Sequence, residues 1–466
     1  MESFRTELEN PIVAKDILDL EKKIFEFKNN QIDEEKFRSL RLARGVYGQR
    51  QQGVQMIRIK LPMGKFTARQ LRRIADVSDE YASSNLHITT RQDIQIHYVL
   101  LDRTPELWAT LEKDEITLRE ACGNTVRNVT ASVMAGVDPN EAFDVTPYAQ
   151  AFFEYFLRNP ICQEMGRKFK VAFSSSSVDD ALTFIHDLGF IPRIENGIRG
   201  FRVLLGGGIG SQPMDAQEVF NFLAADKIIP YSEAVIRVFD RHGERNKRNK
   251  ARLKFLIKEI GLDSFRVLVE QELKVVNHQE YAIEPIKRTL KEAKFVGEIS
   301  LNSSPAFEAW KKANTFTQKQ IGYVAVGLPI KTGDIASGKA RLLADLIEQF
   351  TRDDNRFSVG QSILLRDVKE EHLPALYHAL EQLDLHRIGF HKINDIVTCP
   401  GTDTCNLGIA SSMGLANELQ KLIETEFYSL INTHDIQIKI SGCMNACGQH
   451  TLAHIGFQGM TLKSNG

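Results

Sequence analysis

The sequence lacks both a long apolar run and an excess of charge of either sign. No stretch of its 466 residues approaches the roughly 20 apolar residues of a membrane span, and the N-terminus, MESFRTELENPIVAKD, has no apolar core of the kind a secretory signal needs. The formal net charge of −1 gives no reason to expect a nucleic acid or an anionic membrane as partner. We therefore expect a cytoplasmic protein with neither kind of partner.

Cysteine is scarce and unevenly placed. The chain has six cysteines, and four of them fall within its last 70 residues: Cys399, Cys405, Cys443 and Cys447. In a reducing cytoplasm, clustered cysteines bind metal or carry out redox chemistry more often than they form disulfides. The other two, Cys122 and Cys162, are interpreted as small buried hydrophobic residues.

A β–α–β pattern occurs twice in the chain. VQMIRIKLP predicts a strand, FTARQLRRIADVSDEYA a helix, and LHITTRQDIQIHYVLL a single long strand whose alternation puts Arg91 on a polar face. IGYVAVGLPIKTG, SGKARLLADLIEQFT and RFSVGQSILLRDV repeat this order, with Gln361 in the place of Gln92 and Gly360 in the place of Arg91. The recurrence predicts an internal duplication in which one half alone supplies the arginine.

Two further pairs of segments support the duplication. CGNTVRNVTAS and PGTDTCNLGIAS share a Gly, a Thr, an Asn and an Ala-Ser, an alignment that puts Arg127 near Cys405. GRKFKVAFSSS and IQIKISGCMNAC each predict a strand and a loop. Lys168 and Lys170 are two residues apart, so both point to one side of their strand.

The length predicts about three domains. The duplicated halves are predicted at about 54–300 and 320–466, each an α/β structure with a small lobe and a larger one. Residues 240–320 are rich in Lys and Glu and are predicted to form helices that join the halves. The two halves together predict a pseudo-two-fold arrangement.

The four clustered cysteines have the spacing Cys399-x5-Cys405 and Cys443-x3-Cys447. Four thiolates in two local pairs suit either a tetrahedral zinc ion or a [4Fe–4S] cluster. Structural zinc sites use closer pairs, so the spacing favours the cluster. Zinc and unrelated core cysteines remain the alternatives.

At these residues the sequence resembles the sirohaem-containing sulfite and nitrite reductase family. The two cysteine pairs match that family's cluster signature, CMNAC resembles its C-x-N-x-C turn, and the resemblance runs from about residue 41 to the end. It implies that all four cysteines hold a [4Fe–4S] cluster, that Cys447 also bridges to the sirohaem iron, and that Asn445 lies beside the cofactor.

The resemblance also assigns four cations. It places Arg91 of TTRQ, Arg127 of TVRN, and Lys168 and Lys170 of RKFK around the distal face of the sirohaem. There they are expected to be catalytic residues that bind the oxyanion and the cofactor carboxylates. Fixed cations offset the repulsion between an oxyanion and an electron-rich iron, and they help protons reach the departing oxygens.

The implied activity is the six-electron reduction of sulfite to sulfide, with nitrite to ammonia as the alternative. The chain shows no flavin or pyridine-nucleotide motif, so a ferredoxin or a flavoprotein is expected to supply the electrons. A non-catalytic iron–sulfur electron carrier is the rival from another class. It would leave the four cations without a purpose.

The resemblance completes the predicted architecture. The fold class is α/β (α+β), internally duplicated, each half a small ferredoxin-like β–α–β lobe plus a larger α/β lobe for sirohaem and cluster. Family members continue well beyond the last cysteine, whereas this chain ends 19 residues after Cys447, so the second large lobe is expected to be C-terminally incomplete with an unpaired strand edge. The domains are predicted as a helical extension (1–50), a first half-domain (51–115), a first sirohaem-binding domain with a helical linker (116–315), a second half-domain (316–390) and a cluster domain (391–466).

Overall fold

The computed structural model describes residues 10–285, 288, 290–297 and 304–462. The chain folds into two compact units, the first comprising Met1–Leu118 with Thr289–Gly466 and the second Arg119–Arg288. Across the described ranges, no helix combines the length and the apolar character that crossing a membrane requires. The last five residues, LKSNG, are predicted from the sequence to begin a strand, and they lie almost wholly outside the described residues.

Two helices open the first unit, α1 (Pro11–Lys28) and α2 (Glu34–Leu42). The side chain of Asn10 accepts hydrogen bonds from the backbone N–H groups of Ile12 and Val13 in α1, and the Asp33 side chain accepts one from the backbone N–H of Lys36 in α2. One face of α1 is buried at helical spacing, through Val13, Ile17, Leu20 and Ile24. The predicted N-terminal helices are therefore confirmed in the described part, and α1 packs on the core of the first unit.

A small α/β half-domain follows, which we call the first half-domain. Its elements are β1 (Val46–Gly48), β2 (Val54–Ile59), β3 (Lys65–Phe66), α3 (Ala68–Tyr81), β4 (Asn85–Ile88), β5 (Ile94–Leu100) and α4 (Thr104–Glu112). Thr67 begins α3 with a capping box, in which its hydroxyl accepts from the backbone N–H of Gln70 and the Gln70 side chain accepts from the backbone N–H of Thr67. The predicted strand and helix are confirmed here.

The second unit is a five-stranded sheet with helices. Its elements are β6 (Thr130–Ala131), α5 (Thr146–Phe156), β7 (Val171–Phe173), β8 (Leu188–Glu195), β9 (Ile198–Leu205), β10 (Gln217–Ala224), α6 (Ile228–His242), α7 (Leu253–Ile260) and α8 (Leu262–Leu273). The strand order is β10-β9-β8-β7-β6, parallel from β6 to β8 and antiparallel beyond. Aromatic rings of Phe152, Phe173, Phe190 and Phe201 pack together in its core.

The rest of the first unit contains a second half-domain and a small three-stranded sheet. The half-domain elements are α9 (Pro305–Asn314), β11 (Thr315–Thr317), β12 (Tyr323–Leu328), β13 (Asp334–Ala336), α10 (Ser337–Phe350), β14 (Asn355–Phe357), β15 (Ile363–Lys369) and α11 (Leu373–Gln382). The final elements are β16 (Val397–Thr398), α12 (Ser412–Glu426), α13 (Leu430–Thr433), β17 (Ile438–Ser441) and β18 (Ile455–Gln458).

The predicted joining helices over 240–320 are confirmed only in part. The end of α6, α7 and α8 cover this region up to Leu273, and α9 begins at Pro305. Residues 274–285, 288 and 290–297 form neither helix nor strand. A composition rich in Lys and Glu favours helix only weakly, because most helical stability comes from packing an apolar face.

The two half-domains exchange strands reciprocally. Their sheets have the orders β1-β2-β5-β4-β13 and β11-β12-β15-β14-β3, so each half-domain contributes one short strand to the sheet of the other. The helices α3 and α10 pack against each other, and one apolar core runs through both half-domains. The predicted duplication is confirmed, with a pseudo-two-fold relation between the half-domains of the first unit.

One prediction is wrong in a way that moves a candidate site residue. The single strand predicted from residue 86 is two strands, β4 and β5, joined by a tight turn. The Thr89 hydroxyl accepts from the backbone N–H groups of Arg91 and Asp93, at 3.2 and 3.3 Å, and closes the turn. Arg91 therefore lies in a hairpin turn, where it is 6% exposed, and not on the polar face of a strand.

The second half-domain has the same turn between β14 and β15. The Ser358 hydroxyl takes the place of the Thr89 hydroxyl, accepting from the backbone N–H groups of Gly360 and Ser362, both at 3.1 Å. Gln361 has a φ of 63°, and its counterpart Gln92 has a φ of 57°. The predicted match of the two glutamines is confirmed.

The strand order corrects another alignment. The parallel pair β6–β7 corresponds to β16–β17, since each is the first pair of its sheet. Arg127 comes before β6, whereas Cys405 comes after β16. The predicted correspondence of Arg127 with Cys405 is therefore wrong, because short loops with a common Gly, Thr and Asn fix no register, whereas strand pairing does.

The three-stranded sheet has the order β16-β17-β18, with all neighbours parallel. In the second unit, the strand that corresponds to β18 is β8, and β8 pairs with β9. Among the described residues, β18 pairs with β17 alone.

The strand exchange gives a first testable prediction, at Gly64. This residue has a φ of +65°, and a Cβ there would lie 2.4 Å from the carbonyl oxygen of Phe357, in the opposite half-domain. Gly64→Ala is therefore expected to lower stability by about 3 kcal/mol or more, since the steric clash adds to the ~1–2 kcal/mol of the left-handed backbone. Gly53→Ala is the control, because Gly53 also has a left-handed φ, of +82°, but a Cβ there would have no atom within 4 Å. Thermal melting of both variants checks this, and equal losses would contradict the clash.

Candidate cofactor site

The four predicted cluster cysteines lie in loops at one edge of the three-stranded sheet. Cys399 directly follows β16, and Cys443 and Cys447 follow β17. Because β16 and β17 are parallel, the loops that leave their carboxyl ends meet at the same edge. The carbonyl of Gly442 accepts from the backbone N–H groups of Ile409 and Ala410, at 2.9 and 3.1 Å, which brings the loop carrying Cys405 onto the same place.

The thiols of these cysteines interact with one another. The pKa of Cys399 is raised by burial first and then by the charge of Cys447. The pKa of Cys405 is raised by burial, and the charges of the other three cysteines raise it further. Four neighbouring thiolates would repel one another, so ionising all four cysteines is costly unless a cation neutralises them. Iron does so when it binds, because the thiolate is the form of cysteine that ligates metal.

Several N–H groups point at the sulfurs. The backbone N–H of Gly442 donates to Cys399 Sγ at 3.2 Å, and that of Leu407 donates to Cys405 Sγ at 3.4 Å. Asn445, predicted to lie beside the cofactor, donates from Nδ2 to Cys443 Sγ at 3.4 Å. Such N–H···S contacts stabilise thiolate ligands and tune the potential of an iron–sulfur cluster.

A zinc ion and a [4Fe–4S] cluster make different demands on four cysteine sulfurs. In the part of the chain that the structure describes, no three Cys, His, Asp or Glu side chains are close enough to hold one metal ion. A single zinc ion would draw all four sulfurs to about 2.3 Å from one point. The sulfurs around a [4Fe–4S] cluster bind separate irons and so lie farther apart. Four thiols, with N–H groups directed at three of their sulfurs, are a donor set that fits the predicted cluster.

Glycine lets the cysteine loops approach so closely. A Cβ on Gly442 would lie 2.7 Å from the Cα of Gly401, which belongs to the Cys399 loop. A Cβ on Gly448 would lie 1.9 Å from the carbonyl oxygen of Ile440. Any side chain at these two positions would push the loops apart.

Cys447 differs from the other three ligands in exposure. Its residue is exposed, whereas Cys443 is buried and Cys399 and Cys405 are partly buried. A thiol on the surface of the cysteine cluster can reach a second group outside it. This placement is compatible with the predicted bridging role of Cys447.

The segment after β1 holds the Cys405 loop from the side of the first half-domain. The backbone N–H of Arg50 donates to the Thr404 carbonyl at 2.8 Å, and its guanidinium donates to the Gly408 carbonyl at 2.7 Å. Asn406 donates from Nδ2 to the carbonyl of Gly48 at 2.9 Å. The loop that carries Cys405 is thus held by hydrogen bonds to the end of β1 and to Arg50, in addition to its own turns.

Gln361 holds the Cys399 loop in a similar way. Its Oε1 accepts from the backbone N–H of Thr398 at 2.7 Å, immediately before the ligand, and its Nε2 donates to the Ile88 carbonyl at 2.9 Å. Ile88 is the last residue of β4, directly before the turn that carries Arg91. One buried amide therefore connects the Cys399 loop with the Arg91 turn.

Three of the four predicted cations come together in the second unit. Arg127 donates its backbone N–H to the Phe169 carbonyl at 2.9 Å, and Val126 and Phe169 form a parallel bridge. Val126 and Phe169 are buried on one face, so Arg127, Lys168 and Lys170 share the other by alternation. Lys168 and Lys170 are half-buried, and the guanidinium of Arg127 also donates from Nε to the Ala121 carbonyl at 2.9 Å.

A buried lysine near the cysteines was missed at the sequence level. Lys439 on β17 is 5% exposed and donates from Nζ to Gln449 Oε1 at 3.0 Å, and burial lowers its pKa to about 8. Arg50, Thr90 and Gln361 were also missed. The only sequence signal among these residues was the match of Gln361 with Gln92 in the repeat. The contacts of Arg50 and Thr90, and that of Gln361 with Ile88, join segments hundreds of residues apart, whereas Thr398 is 37 residues from Gln361.

Comparison with known proteins gives the class. The protein-family model described as "Nitrite and sulphite reductase 4Fe-4S domain" matches residues 122–276. The model described as "Nitrite/Sulfite reductase ferredoxin-like half domain" matches residues 47–114 and 316–383. Together these matches span well over half of the chain. The chain belongs to the nitrite and sulfite reductase family of oxidoreductases.

Individual relatives agree with this assignment. A protein named sulfite reductase (ferredoxin), from Mycobacterium tuberculosis, is 29% identical over 440 residues, covering 90% of this chain and 75% of its own. A ferredoxin–nitrite reductase from Synechococcus elongatus is 28% identical over 424 residues, which cover 88% of this chain and 77% of the relative. The solved structure of the Mycobacterium tuberculosis NirA protein has a TM-score of 0.77 and 28% identity, covering 94% of this chain and 80% of that one.

The cofactors of this family are a [4Fe–4S] cluster and sirohaem. The cluster fits the four thiols and the N–H groups directed at their sulfurs. Sirohaem carries several carboxylates, and the face formed by Arg127, Lys168 and Lys170 is the kind of cationic surface that binds them. The chemistry of both donor sets is therefore suited to the family's cofactors.

Proposed function

We propose that the chain catalyses the six-electron reduction of sulfite to sulfide. The observation that carries the proposal is the set of four cysteine thiols in the loops that follow β16 and β17. N–H donors are directed at three of their sulfurs. The relatives named as sulfite reductases support the same reaction. Cys399, Cys405, Cys443 and Cys447 would hold the cluster, and Cys447 would also contact the sirohaem iron.

When bound, the coupled cofactors would store electrons and deliver them to the substrate sulfur. The protein's own part is electrostatic and positional. Arg91, Arg127, Lys168 and Lys170 would bind the oxyanion and the sirohaem carboxylates through charge-assisted hydrogen bonds. Lysine ammonium groups would also donate protons to the departing oxygens. Asn445 would hold the Cys443 sulfur through its Nδ2 contact.

Electrons would come from a ferredoxin in the cytoplasm. The relatives from Mycobacterium tuberculosis and Synechococcus elongatus are both named for ferredoxin. A small external donor also suits a chain in which no flavin or pyridine-nucleotide motif was found. Nitrite is the second candidate substrate, favoured by the Synechococcus elongatus relative, because the two oxyanions need the same cations and the same electron store.

The test is a spectrum followed by turnover. The chain is expressed in cells that make sirohaem, and its visible absorption, iron and acid-labile sulfide are measured on one sample. A haem-type band with about five irons, four from the cluster and one from the haem, is the expected result. Reduced ferredoxin should then drive sulfide release from sulfite faster than ammonia release from nitrite.

Each other outcome has a definite meaning. Faster nitrite turnover would make nitrite the substrate. Cluster absorbance with no haem band and no turnover would support the electron carrier instead. A colourless protein that binds zinc would overturn the whole assignment.

A further inference from the structure

The turn that carries Arg91 makes a direct contact with the bridging cysteine. Thr90, the residue before Arg91, donates from Oγ1 to the carbonyl of Cys447 at 2.9 Å. The Thr90 carbonyl in turn accepts from Nε2 of Gln449 at 3.5 Å. Two hydrogen bonds therefore join one threonine of the first half-domain to the loop that follows β17.

The loop on the other side of this contact is itself held firmly. Gln449 is 5% exposed, and its Oε1 accepts from the buried Lys439 ammonium at 3.0 Å. The backbone N–H of Gly448 donates to Ser441 Oγ at 3.1 Å, which ties the end of the cysteine loop back to β17. The backbone of Cys447 is therefore held on one side by the contacts of Gly448 and Gln449 with β17, and on the other by the Thr90 hydroxyl.

The turn is equally constrained on its own side. The Thr89 hydroxyl closes it, and the Gln361 amide fastens the preceding residue, Ile88, to the Cys399 loop. Because Thr90 and Arg91 are adjacent in this rigid turn, the contact with Cys447 sets the position of the bridging ligand relative to Arg91. A hydroxyl-to-carbonyl hydrogen bond has a preferred length and direction, so it sets the distance between the two segments that it joins.

We propose that Thr90 is a positioning residue that holds Cys447 in register with Arg91 through its hydroxyl. The proposal rests on the proposed function and deepens it. It predicts that loss of the hydroxyl loosens one ligand of the cluster without emptying the site. Arg91 would keep its place, because the Thr89 hydroxyl still closes the turn.

The experiment compares four forms of the holoenzyme. Thr90→Val keeps the branched shape and removes the hydroxyl, and Thr90→Ser keeps the hydroxyl. Thr110→Val is the matched control, since Thr110 is half-buried in the same half-domain and donates its hydroxyl to the Glu106 carbonyl at 3.0 Å. The wild-type chain is the fourth form. Iron release to a chelator, the EPR signal of the reduced cluster, kcat and KM are measured for each.

Thr90→Val is expected to bind both cofactors in full but to release iron at least fivefold faster, with an altered EPR signal. Its kcat should fall at least fivefold, with KM within twofold of the wild-type value. Thr90→Ser and Thr110→Val should lie within twofold of the wild-type protein in every measurement. This pattern assigns the effect to the hydroxyl and its contact with Cys447.

Three results would overturn the proposal. These are wild-type iron release and kcat in Thr90→Val, equal impairment in Thr90→Ser, or equal impairment in Thr110→Val. Iron release and EPR need no turnover, so they test Thr90 even in a chain that reduces neither sulfite nor nitrite. In that case the proposed function would fail while the positioning role of Thr90 would still be decided.

Discussion

Cys443→Ser is expected to abolish cofactor binding and to lower sulfite turnover by at least a hundredfold. Serine has nearly the shape of cysteine, but its hydroxyl is a far weaker ligand for iron than a thiolate. The change also removes the sulfur that accepts from Asn445 Nδ2. The remaining three thiols would then lack one corner of the cluster.

The matched control for this loss is Cys162→Ser. Cys162 is fully buried in the second unit and lies outside the candidate site, so the same chemical change there should cost some stability and leave the cluster in place. Iron and acid-labile sulfide per chain, read with the visible spectrum, give the result. A full complement of iron in Cys443→Ser would remove Cys443 from the ligand set.

Arg91→Ala is expected to leave normal cofactor spectra and to lower kcat/KM for sulfite by about 10²–10³-fold. Removing one preorganised charged donor from a site that stabilises developing negative charge has effects of this size in other enzymes. Arg91 is 6% exposed and lies in a turn closed by the Thr89 hydroxyl, so its place does not depend on its own side chain. The cofactors should therefore remain bound.

Two further variants sharpen this prediction. Arg91→Lys keeps the charge but loses the planar fork, so it should recover only part of the lost kcat/KM. Arg103→Ala removes a half-buried arginine of the same half-domain, whose guanidinium donates to Glu106 at 2.9 Å, and should leave turnover unchanged. Steady-state assays with sulfite and reduced ferredoxin measure all three. Wild-type kcat/KM in Arg91→Ala would exclude Arg91 from oxyanion binding.

The secondary structure of the half-domains could largely be predicted from periodicity, with one instructive exception. The turn between β4 and β5, residues 89–93, contains neither Gly nor Pro, and the apolar positions Leu86 and Ile88 before it are in phase with Ile94 and Ile96 after it. The pattern therefore predicts one strand, while the Thr89 hydroxyl bonds bend the chain back on itself. Propensity gave no sign of this, because the Thr89 side chain closes the turn and its left-handed position is taken by Gln92 rather than by Gly or Asn.

The placement of the cations was likewise predictable only in part. The common face of Lys168 and Lys170 follows from their spacing, since alternate residues of an extended segment point the same way. Their neighbour Arg127 could not be placed correctly from the repeat, since it was aligned with Cys405 on the basis of a short loop. The pairing of β6 with β7 decides its position, and that pairing is a contact between distant parts of the chain.

The sequence by itself predicted the four cysteines as a ligand set, and it determined the duplication of the half-domains and the family. Ligand spacing, strand period and helical period are local properties, so a single reading of the chain contains them. Only the tertiary structure decided how the cysteine loops are held. The contacts of Arg50, Thr90 and Gln361 join residues that are far apart in sequence, and burial with strand pairing brings such residues together in ways that no local pattern encodes.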